Sequence, residues 1–320
     1  MRKIFFEKPV LFLVFAFIFI PCMILAADEG ITSSTELSLQ ISTRPEAKLS
    51  LTQSFVFPFL QGSGPLTSGN NIRTDISAEV SPVSVAGIGE IIWTPAAFLE
   101  IDLGGRIGSG WNMPLGNGIG FNVPVGAWAG SPRKSEITGE PFDGFQWSVW
   151  AGGALQFDMA AVIPGDWNHV IVRVYNQLKF SAYSSAVSGD SWVLENDDAE
   201  NMNGWVLYSS AVLGYRMPLS PVLDFVGLMA EAEYNLYEYP GKDYWGGDLP
   251  KWTFSTMFNF SITPNFSAAL IAQMRTRRNH GSSDLDNNDE YWYQDLPINN
   301  DNGNLRLVFY RVAAIFTYTF

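Results

Sequence analysis

The chain has little of what most catalytic or metal chemistry needs. It has one cysteine, Cys22, and two histidines, His169 and His280, in 320 residues. Cys22 lies in an N-terminal segment expected to be removed. Thiolate catalysis, a disulfide framework and cysteine-ligated zinc are therefore excluded, and two histidines do not make a multi-histidine metal centre. Charged residues are only 16% of the chain and aromatics 14%, the reverse of a disordered composition. Positive charge is scarcest: 19 Lys and Arg against 32 Asp and Glu give −13, which excludes a basic nucleic-acid surface. One uncharged apolar run, Pro9 to Ala27, approaches spanning length, so a polytopic helical membrane protein is excluded too. The Gly-x-Gly triplets, such as Gly87-Ile88-Gly89, are not continued into a Gly-x-Gly-x-x-Gly or other phosphate-loop motif, there is no metal cage, and no cofactor is expected.

What is abundant points to β structure. Eleven Trp, 12 Tyr, 23 Phe and 29 Gly suit strands, turns and interfacial rings. At the N-terminus Arg2, Lys3 and Lys8 precede apolar Leu11 to Leu25, and Ala26-Ala27 precede Asp28 and Glu29. That order is a cleaved secretory signal. The expected organisation is a signal over 1–27 and one domain over 28–320. Removing the signal takes away three basic residues and one acidic one, so the net charge moves from −13 to −15.

The rest of the chain alternates with period two. Trp252, Phe254, Thr256, Phe258, Phe260 and Ile262 share a parity opposite Thr253, Ser255, Met257, Asn259 and Ser261. Val308, Tyr310, Val312, Ala314, Phe316, Tyr318 and Phe320 likewise oppose Phe309, Arg311, Ala313, Ile315, Thr317 and Thr319. The runs extend over about 12–16 residues, longer than sandwich strands and long enough to cross a bilayer at a tilt. Aromatic residues such as Trp93, Trp147, Trp205, Tyr215 and Trp252 stand near the ends of the apolar faces, as in interfacial girdles. The chain ends on a strand whose last residue is Phe320.

This ending, with the alternation before it, resembles the Gram-negative outer-membrane β-barrels in architecture. The resemblance implies an antiparallel up-and-down transmembrane β-barrel of the bacterial outer membrane. It also implies outer-membrane lipid, lipopolysaccharide, the barrel-assembly machinery and periplasmic chaperones as partners. It names no activity and no oligomeric state.

Counting back from Phe320, short Pro-containing turns at 263–265, 217–221, 163–168 and 94–96 alternate with long polar connections at 279–303, 239–250, 184–203 and 111–144. The first part of the chain has two readings. If 37–59 and 72–93 are single long strands, the barrel has ten strands, loop 61–71 is external and Pro82 marks a bulge. If each stretch is a hairpin, there are twelve strands and loop 61–71 is periplasmic. Ten strands keep every long loop on one side and are the reading taken.

The candidate functional residues are charges of lumen parity near mid-strand: Arg106, Arg173, Glu231, Arg275 and Arg311. A charge facing lipid at mid-depth costs about 2–4 kcal/mol for Arg, so these must point inward. They either line a constriction in a small channel or solute-uptake protein, or pair within a closed structural or adhesive barrel. An outer-membrane hydrolase is the third reading. It rests on His280 and Ser282, which lack the Asn that follows the Ser in barrel phospholipases. Asp284, Asp286 and Asn288 have oxygen-ligand spacing but no turn glycine. Another acidic group, Glu195, Asp197, Asp198 and Glu200, reads as a solvated loop.

The signal makes the first testable statement. Mass spectrometry of the protein purified from membranes should show a chain beginning just after Ala26 or Ala27. An intact Met1 would contradict it.

Overall fold

The computed structural model describes residues 30–320 other than 45, 115, 126–133, 196, 198–200, 217, 219, 221, 237–248 and 279–304. Its strands are β1 (Thr32–Ser42), β2 (Ala47–Pro58), β3 (Asn71–Val80), β4 (Ser84–Ala96), β5 (Leu99–Gly110), β6 (Ile119–Val125), β7 (Lys134–Thr138) and β8 (Gln146–Asp158). They continue with β9 (Val170–Tyr183), β10 (Trp192–Leu194), β11 (Gly204–Arg216), β12 (Leu223–Asn235), β13 (Lys251–Thr263), β14 (Phe266–Arg278) and β15 (Leu305–Thr319). Twelve of them close a barrel in the order β1-β15-β14-β13-β12-β11-β9-β8-β5-β4-β3-β2. Every neighbouring pair in the wall is antiparallel, and β1 closes on β15 from Glu36↔Thr319 to Ser42↔Ala313. β10, β6 and β7 form a separate small sheet in the outer connections.

The barrel is inside out relative to a soluble domain. Ile91, Leu103, Ile107, Leu155, Leu213 and Leu228 are more than half exposed on the outer surface, while Asp102, Gln146, Ser148, Ser255 and Gln273 are buried inside. At one end of this apolar belt the Trp147, Phe180 and Trp205 rings pack in a row, with 5.3 Å between successive centroids. At the other end Tyr318 packs edge-on against Phe320 at 4.9 Å. A closed sheet with an apolar outer face between aromatic girdles is a membrane-spanning barrel of the outer-membrane type.

The strand count corrects the ten-strand expectation. The stretch 37–59 is the β1–β2 hairpin, with Leu37 opposite Leu51, Leu39 opposite Leu49 and Ile41 opposite Ala47. Partners across this turn are both odd-numbered, so the outward face keeps its parity through a full reversal of the chain. Sequence parity alone cannot tell such a hairpin from one long strand. In the β3–β4 hairpin, Ile72 faces Trp93 and Glu79 faces Ala86, so parity flips. Pro82 therefore sits in a turn and not in a bulge. Ser81 N–H donates to Ser84 O at 2.9 Å, and their hydroxyls lie 2.7 Å apart.

Connection 59–70 accordingly lies at the end that carries both barrel termini. It is folded on itself: Gly62 N–H donates to Thr67 O, the Asn70 amide donates to Leu60 O at 3.0 Å, and Leu66 O accepts from Ala97 N–H. A bulge does occur in β15. Gln273 faces Arg311 but Met274 faces Phe309, which leaves Tyr310 extra. Val308 and Tyr310 therefore do not share the outward face of Phe316. Leu307 and Phe309 take it instead, at 51% and 63% exposure.

The corrected topology is directly testable. An epitope inserted after Pro82 should bind antibody on intact cells, and one inserted after Ser63 only after the outer membrane is permeabilised. Ten strands would give the reverse: external binding at Ser63, and loss of the folded barrel at Pro82.

Candidate functional site

The lumen is lined by polar and charged side chains whose outward neighbours are apolar, and they gather at two levels. At the outer mouth the controlling residue is Glu195, just after β10 in the connection between β9 and β11. Its carboxylate reaches Arg106 Nη2 at 2.5 Å, Lys48 Nζ at 2.8 Å and Ser84 Oγ at 2.9 Å, and so joins β5, β2 and β4. Arg106 also donates to Gln146 Oε1 at 2.6 Å, and Lys48 also meets Glu79 at 3.3 Å. Burial raises the Glu195 carboxyl pKa, but Lys48 and Arg106 outweigh it and hold the group below the usual carboxylate range.

The loop is built to hold that carboxylate in place. Trp192 pairs with Phe121 and Leu194 with Ile119, and Glu195 N–H donates to Gly118 O at 2.8 Å. Trp192, Ile119 and Tyr183 form the buried apolar core beneath. Asn203 ties it further, accepting from Tyr183 N–H at 2.8 Å and from the Trp192 indole at 3.2 Å. Gly118 lies so close to the β3–β4 turn that a Cβ there would fall 2.0 Å from Val83 O. The long outer connections thus lean across to the wall whose own turns are shortest.

On the other side of the mouth, Arg311 pairs with Glu46 and donates from Nε to Gln273 Oε1 at 2.6 Å. The Tyr310 ring, turned inward by the bulge, has the Arg275, Arg44 and Arg311 guanidiniums at 4.5, 4.9 and 5.1 Å from its centroid. Between the two groups lies a cavity of about 770 Å³, lined by Glu46, Lys48, Glu195, Asp197, Tyr310 and Arg311 among others.

Deeper in the barrel, Arg173 meets Glu100 at 3.1 Å, and the Tyr175 hydroxyl donates to Asp102 at 3.0 Å. The Trp150 indole donates to Glu90 at 3.0 Å, and Arg73 meets Asp75 at 3.0 Å. Gly152 makes room for this level, since a Cβ there would stand 2.5 Å from the Tyr175 hydroxyl and 2.6 Å from the Asp102 carboxylate.

The five residues singled out from the sequence therefore do not form one ring. Arg106 lies on β5 and Arg275 on β14, six places apart around the closed sheet, with Arg311 on β15 beside β14. Arg173 belongs to the deeper level. Glu231 is held by the Tyr208 hydroxyl, which donates to it at 2.5 Å. Glu195, Lys48, Glu46, Gln146 and Tyr310 were not anticipated as lumen residues. No sequence spacing announces a contact between positions 89 residues apart, as Arg106 and Glu195 are. His280, Ser282, Asp284, Asp286 and Asn288 lie outside the described residues. His169 is at the opposite end, 2.8 Å from Asp158. Among the described residues no group of three or more His, Cys, Asp or Glu is placed to hold a metal ion.

No protein-family model matches the chain, and no curated protein matches it. Solved structures similar to it include the KdgM porin in complex with disordered oligogalacturonate, at 11% identity and a TM-score of 0.37 over 90% of this chain and 99% of that one. The NanC porin follows at 6% and 0.39, over 90% and 98%. The beta domain of the Bordetella autotransporter BrkA gives 10% and 0.37, over 90% and 98%. None is close enough to assign an activity to this barrel.

Proposed function

We propose that the protein is a small-solute channel of the outer membrane, narrowed at its outer mouth by the connection that carries Glu195. One observation carries this reading: charged side chains inside the wall remain open to solvent. Arg73 is 45% exposed and Arg173 36%, although both point into the barrel. Side chains fill the interior of a barrel of about eight strands, and twelve strands enclose more. The guanidiniums around Tyr310 make the outer mouth locally positive despite the acidic chain, which favours entry of anionic solutes.

The Glu195 ion pairs favour the competing reading, a closed structural or adhesive barrel, because they tie the loop across the opening. Conductance of the refolded protein in planar bilayers separates the two. The channel reading expects discrete open steps, and replacing Arg275 and Arg311 together by Ser should enlarge them and shift the reversal potential in a salt gradient toward cations. A closed barrel would show no steps in either protein. The double variant leaves Glu46 without Arg311, an ion pair roughly four-fifths buried. The cost should be about 1–3 kcal/mol, between that of an exposed pair and a fully buried one, seen as a lower urea midpoint.

The Glu195 contacts have their own pH signature. A depressed carboxyl pKa contributes stability that is present above the unfolded value, about 4.3, and lost as pH falls through the folded one. Open-state conductance should therefore be steady from neutral pH to about 5 and rise only in more acid solution. Glu195→Gln should show the larger conductance already at neutral pH and lack the acid-dependent rise. A Glu195→Gln channel matching the wild type at every pH would show that this loop does not limit the mouth.

A further inference from the structure

The lipid-facing surface carries, at Asn176, an amide that the described residues pair on one side only. Asn176 is the seventh residue of the fourteen in β9, opposite Gly153 on β8 and Ser209 on β11. Its neighbours on the same outward face, Val174 and Leu178, are 43% and 42% exposed. Ser209 lies between Trp205 and Tyr215, the outward aromatics toward the two ends of β11. Asn176 is thus an exposed amide inside the apolar belt. Its Oδ1 accepts from Ser209 Oγ at 2.7 Å, but its Nδ2 donates to no group among the described residues.

Gln53, the outward amide on β2, behaves otherwise. Its Oε1 accepts from Thr35 Oγ1 at 2.7 Å, and its Nε2 donates to Ser34 O and Ser54 O at 3.0 and 3.3 Å. Hydrocarbon offers Asn176 no acceptor, and an unpaired donor at that depth is costly. Polar groups placed there serve contacts within the membrane.

We infer that a second copy of this chain covers Asn176, in a two-fold dimer whose axis runs along the membrane normal beside β9. The carboxamide is self-complementary. Across a two-fold axis each Nδ2 donates to the other Oδ1, and no other group is needed. The same axis sets the β8 side of one copy against the β11 side of the other. The β8 side projects Leu155 and Phe157, 58% and 49% exposed. The β11 side carries an apolar hollow of about 650 Å³, lined by Ala211, Leu213, Leu228, Ala230, Phe254 and Met274 among others. One copy thus offers projecting side chains and the other a hollow on facing sides of the axis.

Because the mature chain is expected to lack cysteine, single-cysteine variants test this in membranes. Leu178→Cys lies on β9 next to the axis, and Leu39→Cys on β1, across the barrel. Oxidation or a short bis-maleimide should give a covalent dimer from Leu178→Cys and only monomer from Leu39→Cys. Adding Asn176→Leu to Leu178→Cys should lower the dimer yield by about three-fold or more, the effect of losing one polar contact within a bilayer. Heat-modifiable migration should show that the barrel still folds. The inference is overturned if Leu178→Cys stays monomeric while a lipid-soluble maleimide labels it, which would mean lipid covers the site. It is also overturned if the crosslink has the mass of a different protein, or if Asn176→Leu leaves the dimer yield unchanged.

Discussion

A backbone inside a bilayer has no water to bond to, and that constraint organises this molecule. A sheet meets it only by closing on itself, because an open edge would leave a row of unpaired N–H and C=O groups in hydrocarbon. The seam between β1 and β15 is where the chain does so. Once the sheet is closed, the pleat assigns every side chain to lipid or lumen. Apolar residues are spent on the outer surface, and among the described residues no large hydrophobic core remains inside the barrel wall. The interior is instead organised by ion pairs and hydrogen bonds between strands distant in sequence, such as Arg173 with Glu100 and Tyr175 with Asp102.

Closure does not make the rim uniform. The turns after β1 and β3 are short, whereas the connections after β5 and β9 are long and carry a small sheet of their own. A long connection rooted on the high side has a low wall to lean on. The connection after β5 packs its backbone against the β3–β4 turn through Gly118, and the connection after β9 sets the Glu195 carboxylate among Lys48, Ser84 and Arg106. The mouth is thus narrowed by loop packing first, and the ion pairs hold the loop in place.

The barrel itself was legible in the sequence because period-two alternation, girdle aromatics and Pro-marked turns are all local signals. The strand count was not, for a definite reason. A hairpin whose partners have matching parity, as Leu39 and Leu49 do, preserves the pattern of a single strand, and a turn that flips parity at Pro82 looks like a bulge. The bulge at Tyr310 inserts one residue into β15, which parity counting passes over. Inward charges such as Arg106 and Arg311 could be named, because lipid excludes them from the other face. Their partners could not. Glu195 sits in an acidic loop that reads as solvated, and only the folded chain brings it 89 residues back to Arg106.

As a channel, the barrel must let water and small solutes pass through its lumen. Proteoliposomes holding the refolded protein should swell in isosmotic solutions of small neutral sugars, at rates that fall as the sugar grows. Swelling no faster than in protein-free liposomes, with the barrel demonstrably folded, would contradict the claim and leave a closed barrel.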